Sequence, residues 1–180
     1  CSIDFSKSSC ETLKKRVAFA KLTRKKIAPI QVICKDINHW HGEPFDYILI
    51  SNVLHHVANP TETLARITNW LKPHGILRMV TYPKTSRIWM RETQAWLKCH
   101  KINRNDIFLK QKSNKVMNTL SNSHPIRSCY YSQPERIFKA GLVDAFYNAL
   151  ENPLSPLEWE KSFRTSKLKW LKETQNETSQ

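Results

Sequence analysis

Glycine is nearly absent: three residues in 180, at Gly42, Gly75 and Gly141. A turn that brings backbone close to a phosphate or a cofactor relies on glycine, so no glycine-rich nucleotide loop can be placed here. Acidic residues are scarce, 15 against 29 Lys and Arg, leaving a formal net charge of +14. The five cysteines (Cys1, Cys10, Cys34, Cys99, Cys129) are odd in number, scattered and without a CxxC spacing. That favours free thiols in a reducing compartment over a disulfide framework or a zinc site. No run reaches the roughly 18 apolar residues that would cross a bilayer. No basic segment leading into an apolar stretch opens the chain. The expectation is a cytoplasmic chain with no membrane partner and no metal site.

What is present suits one domain: 180 residues, 40% hydrophobic, with six Trp. The clearest stretch runs from Phe45 to Pro83. Phe45-Asp46-Tyr47-Ile48-Leu49-Ile50 is a short apolar run rich in β-branched and aromatic residues, the pattern of a buried parallel strand. Asn59 and Thr61 flank Pro60, which suits a helix start. Leu64, Ile67, Trp70 and Leu71 follow at helical spacing, and Lys72-Pro73-His74-Gly75 reads as a stop. Ile76 to Tyr82 is a second strand. Strand, helix and strand in about 40 residues make one βαβ unit on a parallel sheet.

These residues resemble the second half of the Rossmann-like core of class I S-adenosylmethionine (SAM) dependent methyltransferases. The match lies in Phe45-Asp46-Tyr47-Ile48, Val53-Leu54-His55-His56-Val57, Asn59-Pro60 and Leu71-Lys72-Pro73-His74-Gly75. The last corresponds to the family's usual LKPGG, with His74 in place of the first glycine. The resemblance implies an α/β, three-layer sandwich with a mostly parallel sheet, lacking the first strand and its glycine-rich turn. The missing turn and the opening Cys point to an N-terminally truncated piece. Without its central first strand, such a sheet is expected to fall into two halves with nothing pairing between them.

The resemblance also assigns residues. Asp4, followed by Phe5, matches the acid that ends the second strand and accepts hydrogen bonds from the ribose hydroxyls. A carboxylate suits that role because it only accepts and can take two donors at once. The plainer reading of Asp4 is a helix-capping acid beside Ser6. Asp36 and Ile37 match the acid and the apolar residue beside the adenine, with a strand-ending turn as the plainer reading. Ser51 and Asn52 would face the methionine part of the cofactor. His55 and His56 are the candidate catalytic bases, since histidine titrates near neutrality, although packing at the start of the next helix explains them as well.

Elsewhere the sequence predicts a strand ending at Asp4 and a basic helix from Ser6 to about Lys26. A further strand runs from Ile30 to Ile37 and a helix lies within 83–97. Residues 98–125 read as basic, with one or two short helices. Residues 134–150 read as a helix and then a strand from Gly141 to Tyr147, and the tail from Leu154 as an amphipathic helix fraying into Asn176 to Gln180. The expected division is 1–83 as a partial SAM-binding core and 84–133 as a basic insertion or substrate cover, which Arg127, Tyr130 and Tyr131 could line. Residues 134–180 would complete the same domain. The implied activity is methyl transfer from SAM to a small-molecule acceptor. The net charge leaves an RNA or tRNA methyltransferase, or a non-enzymatic nucleic-acid binder, as alternatives.

Overall fold

The computed structural model describes residues 1–23, 26–148 and 150–171. Arg24 and Lys25, expected in the first helix, and the polar tail from Asn176 to Gln180 lie outside the described residues. The chain forms four strands and seven α-helices among those residues: β1 (Ser2–Asp4), α1 (Lys7–Thr23), β2 (Val32–Cys34), β3 (Phe45–Ser51), α2 (Pro60–Thr68), β4 (Leu71–Val80), α3 (Ile88–Cys99), α4 (Leu109–Met117), α5 (Pro125–Ser132), α6 (Lys139–Phe146) and α7 (Pro156–Thr165). β1 pairs parallel with β2, and β3 pairs parallel with β4. Each pair is joined through a helix, so the molecule is an α/β fold of the Rossmann-like kind. Among the described residues no ladder joins the two pairs, which remain separate two-stranded sheets.

The β3–β4 sheet carries the first core. Ile48 and Ile50 on β3 and Leu77 and Met79 on β4 alternate with exposed residues, as one covered face requires. Leu64 and Ile67 of α2 pack on that face. So do Trp159 and Phe163 of α7, which returns from the far end of the chain. α7 starts in a reciprocal capping box between Ser155 and Glu158. A second core, made of helices only, joins Met90, Leu97, Leu109, Met117, Tyr130, Leu142 and Phe146.

Three expectations need correction. Residues 141–147 are not a strand: Leu142 and Phe146 are buried while Asp144 between them is exposed, which the two-residue period of a strand does not allow and the helical turn of α6 does. The helix after Pro60 ends at Thr68, and Leu71 already pairs with Phe45. The ladder then jumps from Phe45↔Leu71 to Tyr47↔Ile76, so residues 72–75 bulge out of the strand, with His74 in the left-handed region at φ 68°. The last helix stops at Thr165, short of Leu168, Trp170 and Leu171.

Candidate functional site

The carboxyl ends of parallel strands are where open α/β sheets bind ligands, and four of the candidate residues lie at one such edge. β1 and β2 run in register, Asp4 opposite Cys34, and the Lys35 amide donates to the Asp4 carbonyl at 3.0 Å. Asp4 and Asp36 therefore leave the sheet at the same end. Each spends one carboxylate oxygen locally. Asp4 Oδ1 accepts from the Ser6 amide at 2.8 Å, and Ser6 Oγ in turn accepts from the Ser9 amide at the start of α1. Asp36 Oδ1 accepts from the Asn38 amide at 2.8 Å. Capping and ligand binding are thus compatible uses of each carboxylate, because the second oxygen has no such backbone partner. Phe5 is 80% exposed beside Asp4.

The turn after Asp36 ties this rim to the second sheet. Ile37 and Trp40 pack against the first core. Thr63 Oγ1 of α2 donates to Asn38 Oδ1 at 2.8 Å, and Arg66 Nη1 donates to the Asn38 carbonyl at 2.5 Å. On that second sheet, Ser51 ends β3 and Asn52 follows at φ 54°, a conformation Asn adopts at low cost, with its amide donating to the Val80 carbonyl. The structure brings Asp4, Phe5, Asp36 and Ile37 to one carboxyl edge and Ser51 and Asn52 to the other, with α2 as the bridge.

The histidine pair sits just past Asn52, in a short 3-10 turn at Leu54–His56. His55 is buried, 1% exposed, and its Nε2 has no hydrogen-bond partner. Burial, with His56 beside it, holds its pKa down to about 4. The Tyr82 ring meets it edge-on at 5.1 Å. A histidine so placed is neutral at pH 7 and shielded from a solvent-borne substrate. His56 is half-buried and engaged on both nitrogens: Nδ1 lies 3.0 Å from the Leu150 carbonyl, and the Asn148 amide donates to Nε2 at 3.4 Å. With those partners Nδ1 is placed to donate and Nε2 to accept.

Sequence reasoning missed what holds this pair. Arg87 Nε donates to Glu151 Oε1 at 2.8 Å, with both side chains largely buried, and Glu151 Oε2 lies 3.8 Å from His56 Nδ1. The Arg87 guanidinium also lies over the Tyr82 ring at 4.8 Å. Asn152 completes a strap across the rim: its amide donates to the His55 carbonyl at 2.7 Å, and its side chain to the Val57 carbonyl at 2.9 Å. No local pattern announces a partnership across 64 or 94 residues. The candidate cover residues bond within the helical cluster, Tyr130 inside it and Arg127 and Tyr131 half-buried at its surface. Tyr130 is fully buried and donates to Asn114, Tyr131 donates to Asn118, and Arg127 donates to the Leu120 carbonyl.

Two comparisons bear on this arrangement. Residues 1–77 match the family model of a methyltransferase domain. The fold is similar to the solved structure of PKMT2 from Rickettsia typhi, with a TM-score of 0.64 at 15% identity over 91% of this chain. The chain spans about a third of that protein, 32% of its length.

Proposed function

We propose, from a methyltransferase domain over residues 1–77 and the Rossmann-like fold beneath it, that this chain binds SAM and transfers its methyl group to a small-molecule acceptor. The observation that carries the reading is the pair of aspartates at one carboxyl edge, each with one oxygen committed to backbone and the other without a backbone partner, Asp36 Oδ2 lying 3.8 Å from the exposed His39 ring. A ribose presents two adjacent hydroxyl donors, and Asp4 Oδ2 is an acceptor of the right kind. Asp36 and Ile37 offer an acceptor and an apolar surface to an adenine. The exposed Phe5 ring adds a flat apolar face next to Asp4. These residues fit the adenosine half of the cofactor. Ser51 and Asn52 are the candidates for its methionine half.

SAM supplies an electrophilic methyl group, and the protein's part is chiefly to hold donor and acceptor in line. Asp4 and Asp36 fix the nucleoside end. His56 is the candidate to take a proton from an acceptor that must lose one, and its Nε2 must first release the Asn148 amide that donates to it. His55 supports it from below and, being buried, makes no such contact itself.

Calorimetric titration of the 180-residue chain with SAM and with S-adenosylhomocysteine tests the reading. Micromolar binding is expected, weakened about tenfold or more by Asp4→Ala and by Asp36→Ala, since each removes a charged acceptor. A folded chain that binds neither ligand would sink it. If binding is found, a screen of small acceptors beside tRNA decides the substrate class.

A further inference from the structure

The helical cluster presents an apolar surface that its own core does not use. Ile107 is 84% exposed, Phe138 72%, Phe108 59% and Ile137 53%. They come from two segments about 30 residues apart, and lysine ammonium groups pin those segments together. Lys139 Nζ donates to the carbonyls of Asp106 (2.9 Å) and Asn105 (3.5 Å), and Lys110 Nζ donates to the carbonyl of Ile137 at 3.2 Å. The loop below is rigid on its own account: Phe108 and Asn105 donate their amides to the side chains of Asp106 and Asn103. Leu109 and Leu142, one and four residues beyond the exposed side chains, are fully buried anchors. These four side chains are thus held in water by structure on both sides.

The rim is cationic. Lys101, Arg104 and Lys139 are exposed and Lys110 half-exposed on the same segments. Against them stands Glu135, while Asp106 and Lys112 pair with each other and cancel. A fixed apolar patch on segments with a basic excess matches a surface that is anionic outside and apolar a few ångströms deeper. Two of the four residues are isoleucines, which offer no π-face for base stacking, so single-stranded nucleic acid fits the patch less well.

We propose that this face, Ile107–Phe108 with Ile137–Phe138, docks on an anionic phospholipid surface, with the apolar side chains entering the headgroup layer and the basic residues of those segments facing the lipid phosphates. The attachment is peripheral, since among the described residues no helix is long and apolar enough to cross a membrane. It also departs from the expectation of no membrane partner, which rested on the absence of a spanning segment.

Vesicle co-sedimentation of the full chain decides it. Phosphatidylcholine vesicles with about 30% phosphatidylserine should bind at least tenfold more tightly than phosphatidylcholine alone, the gap closing at about 0.5 M salt. The Ile107→Ser/Phe138→Ser double variant changes two exposed side chains and keeps every charge. It should stay folded by circular dichroism and lose about tenfold in binding to the anionic vesicles. Four results would overturn the proposal. One is binding unchanged in that variant, and another is no binding by the folded chain. A third is full competition by single-stranded RNA in the parent but not in the variant. The last is a dimer in sedimentation that the variant dissociates while vesicle binding persists.

Discussion

The stretch that matches a known family is unevenly packed: its first sheet, β1–α1–β2, is the loosest part of the described molecule, while β3–α2–β4 and the helices beyond the match are well packed. In β1–α1–β2, Cys10 is the one buried hydrophobic side chain among the described residues, while Phe5, Phe19 and Leu22 stand 67–86% exposed. The α3–α6 cluster buries seven. Periodicity explains the difference. Met90, Thr93 and Leu97 fall at helical spacing, as do Leu109, Ser113 and Met117, so each helix turns one stripe inward. α1 instead spreads Lys14, Lys15, Arg16 and Lys21 around its surface and leaves Leu13, Val17 and Ala20 only half-covered. A ladder of three pairs cannot stabilise itself without neighbours. Both β1 and β3 still have an edge unpaired among the described residues.

Truncating the two regions is the strongest way to break this contrast. Leu97→Ala empties a fully buried site and should cost about 2–5 kcal/mol, whereas Leu13→Ala on α1 should cost less than about 1 kcal/mol. Urea titration followed by tryptophan fluorescence reads Leu97→Ala in full and, because all six Trp lie outside residues 1–34, reads Leu13→Ala only as far as the two regions unfold together. Alkylation of Cys10, mapped by mass spectrometry, reports the strand pair directly. It should proceed at urea concentrations below the fluorescence transition. Equal losses in the two variants, or Cys10 protected to the same midpoint, would show that the two regions unfold as one.

His55 sits where the sheet, the strap and the helices meet, and it gives the junction a pH signature. Its pKa is held at about 4 by burial, with His56 and Arg87 pushing down and Glu151 pushing up. The unfolded chain takes up this proton near pH 6.5 and the folded chain does not, so stability falls as the pH drops below 6.5. The loss amounts to about 3 kcal/mol by pH 4 and grows little beyond it. Urea midpoints measured from pH 7 to pH 4 should show this fall superimposed on the carboxylate titrations. The His55→Gln variant should lack that part of the slope. An identical slope in both proteins would mean that His55 titrates freely.

Legibility followed the range of the interactions. The βαβ unit of residues 45–80 could be read because apolar alternation, the Asn59-Pro60 start and helical spacing are local signals. The separation of the two sheets was no local signal; it followed from the resemblance, in which the absent first strand lies between them. Asp4 and Asp36 were legible as strand ends, and their local bonds to Ser6 and Asn38 were the alternative weighed for each. Gly141–Tyr147 misled because β-branched and aromatic residues fit a strand equally well, until the exposure of Asp144 between buried Leu142 and Phe146 settled the period. Arg87, Asn148, Glu151 and Asn152 could not be read at all. They meet the histidine pair only after the helical cluster has folded and returned the chain to the sheet.

The smallest effect tests the family resemblance at one residue. His74 stands where the family's motif has its first glycine, and it occupies φ 68° at the bulge in β4. A side chain with a Cβ pays about 1–2 kcal/mol in that region. Glycine avoids the cost but gives back about 0.5–1 kcal/mol through the freedom of its unfolded chain. His74→Gly should therefore stabilise the protein by about 0.5–1 kcal/mol. The imidazole is exposed, so little packing is lost. Gly75, the neighbouring glycine, has no positive φ, and an added Cβ there would meet the Phe45 and Lys72 carbonyls at 3.0 Å. Gly75→Ala should then destabilise where His74→Gly stabilises. Opposite signs in the two urea midpoints would show that the bulge keeps the motif's backbone although one of its residues has changed. Loss of stability in His74→Gly would mean that the imidazole itself supports the bulge.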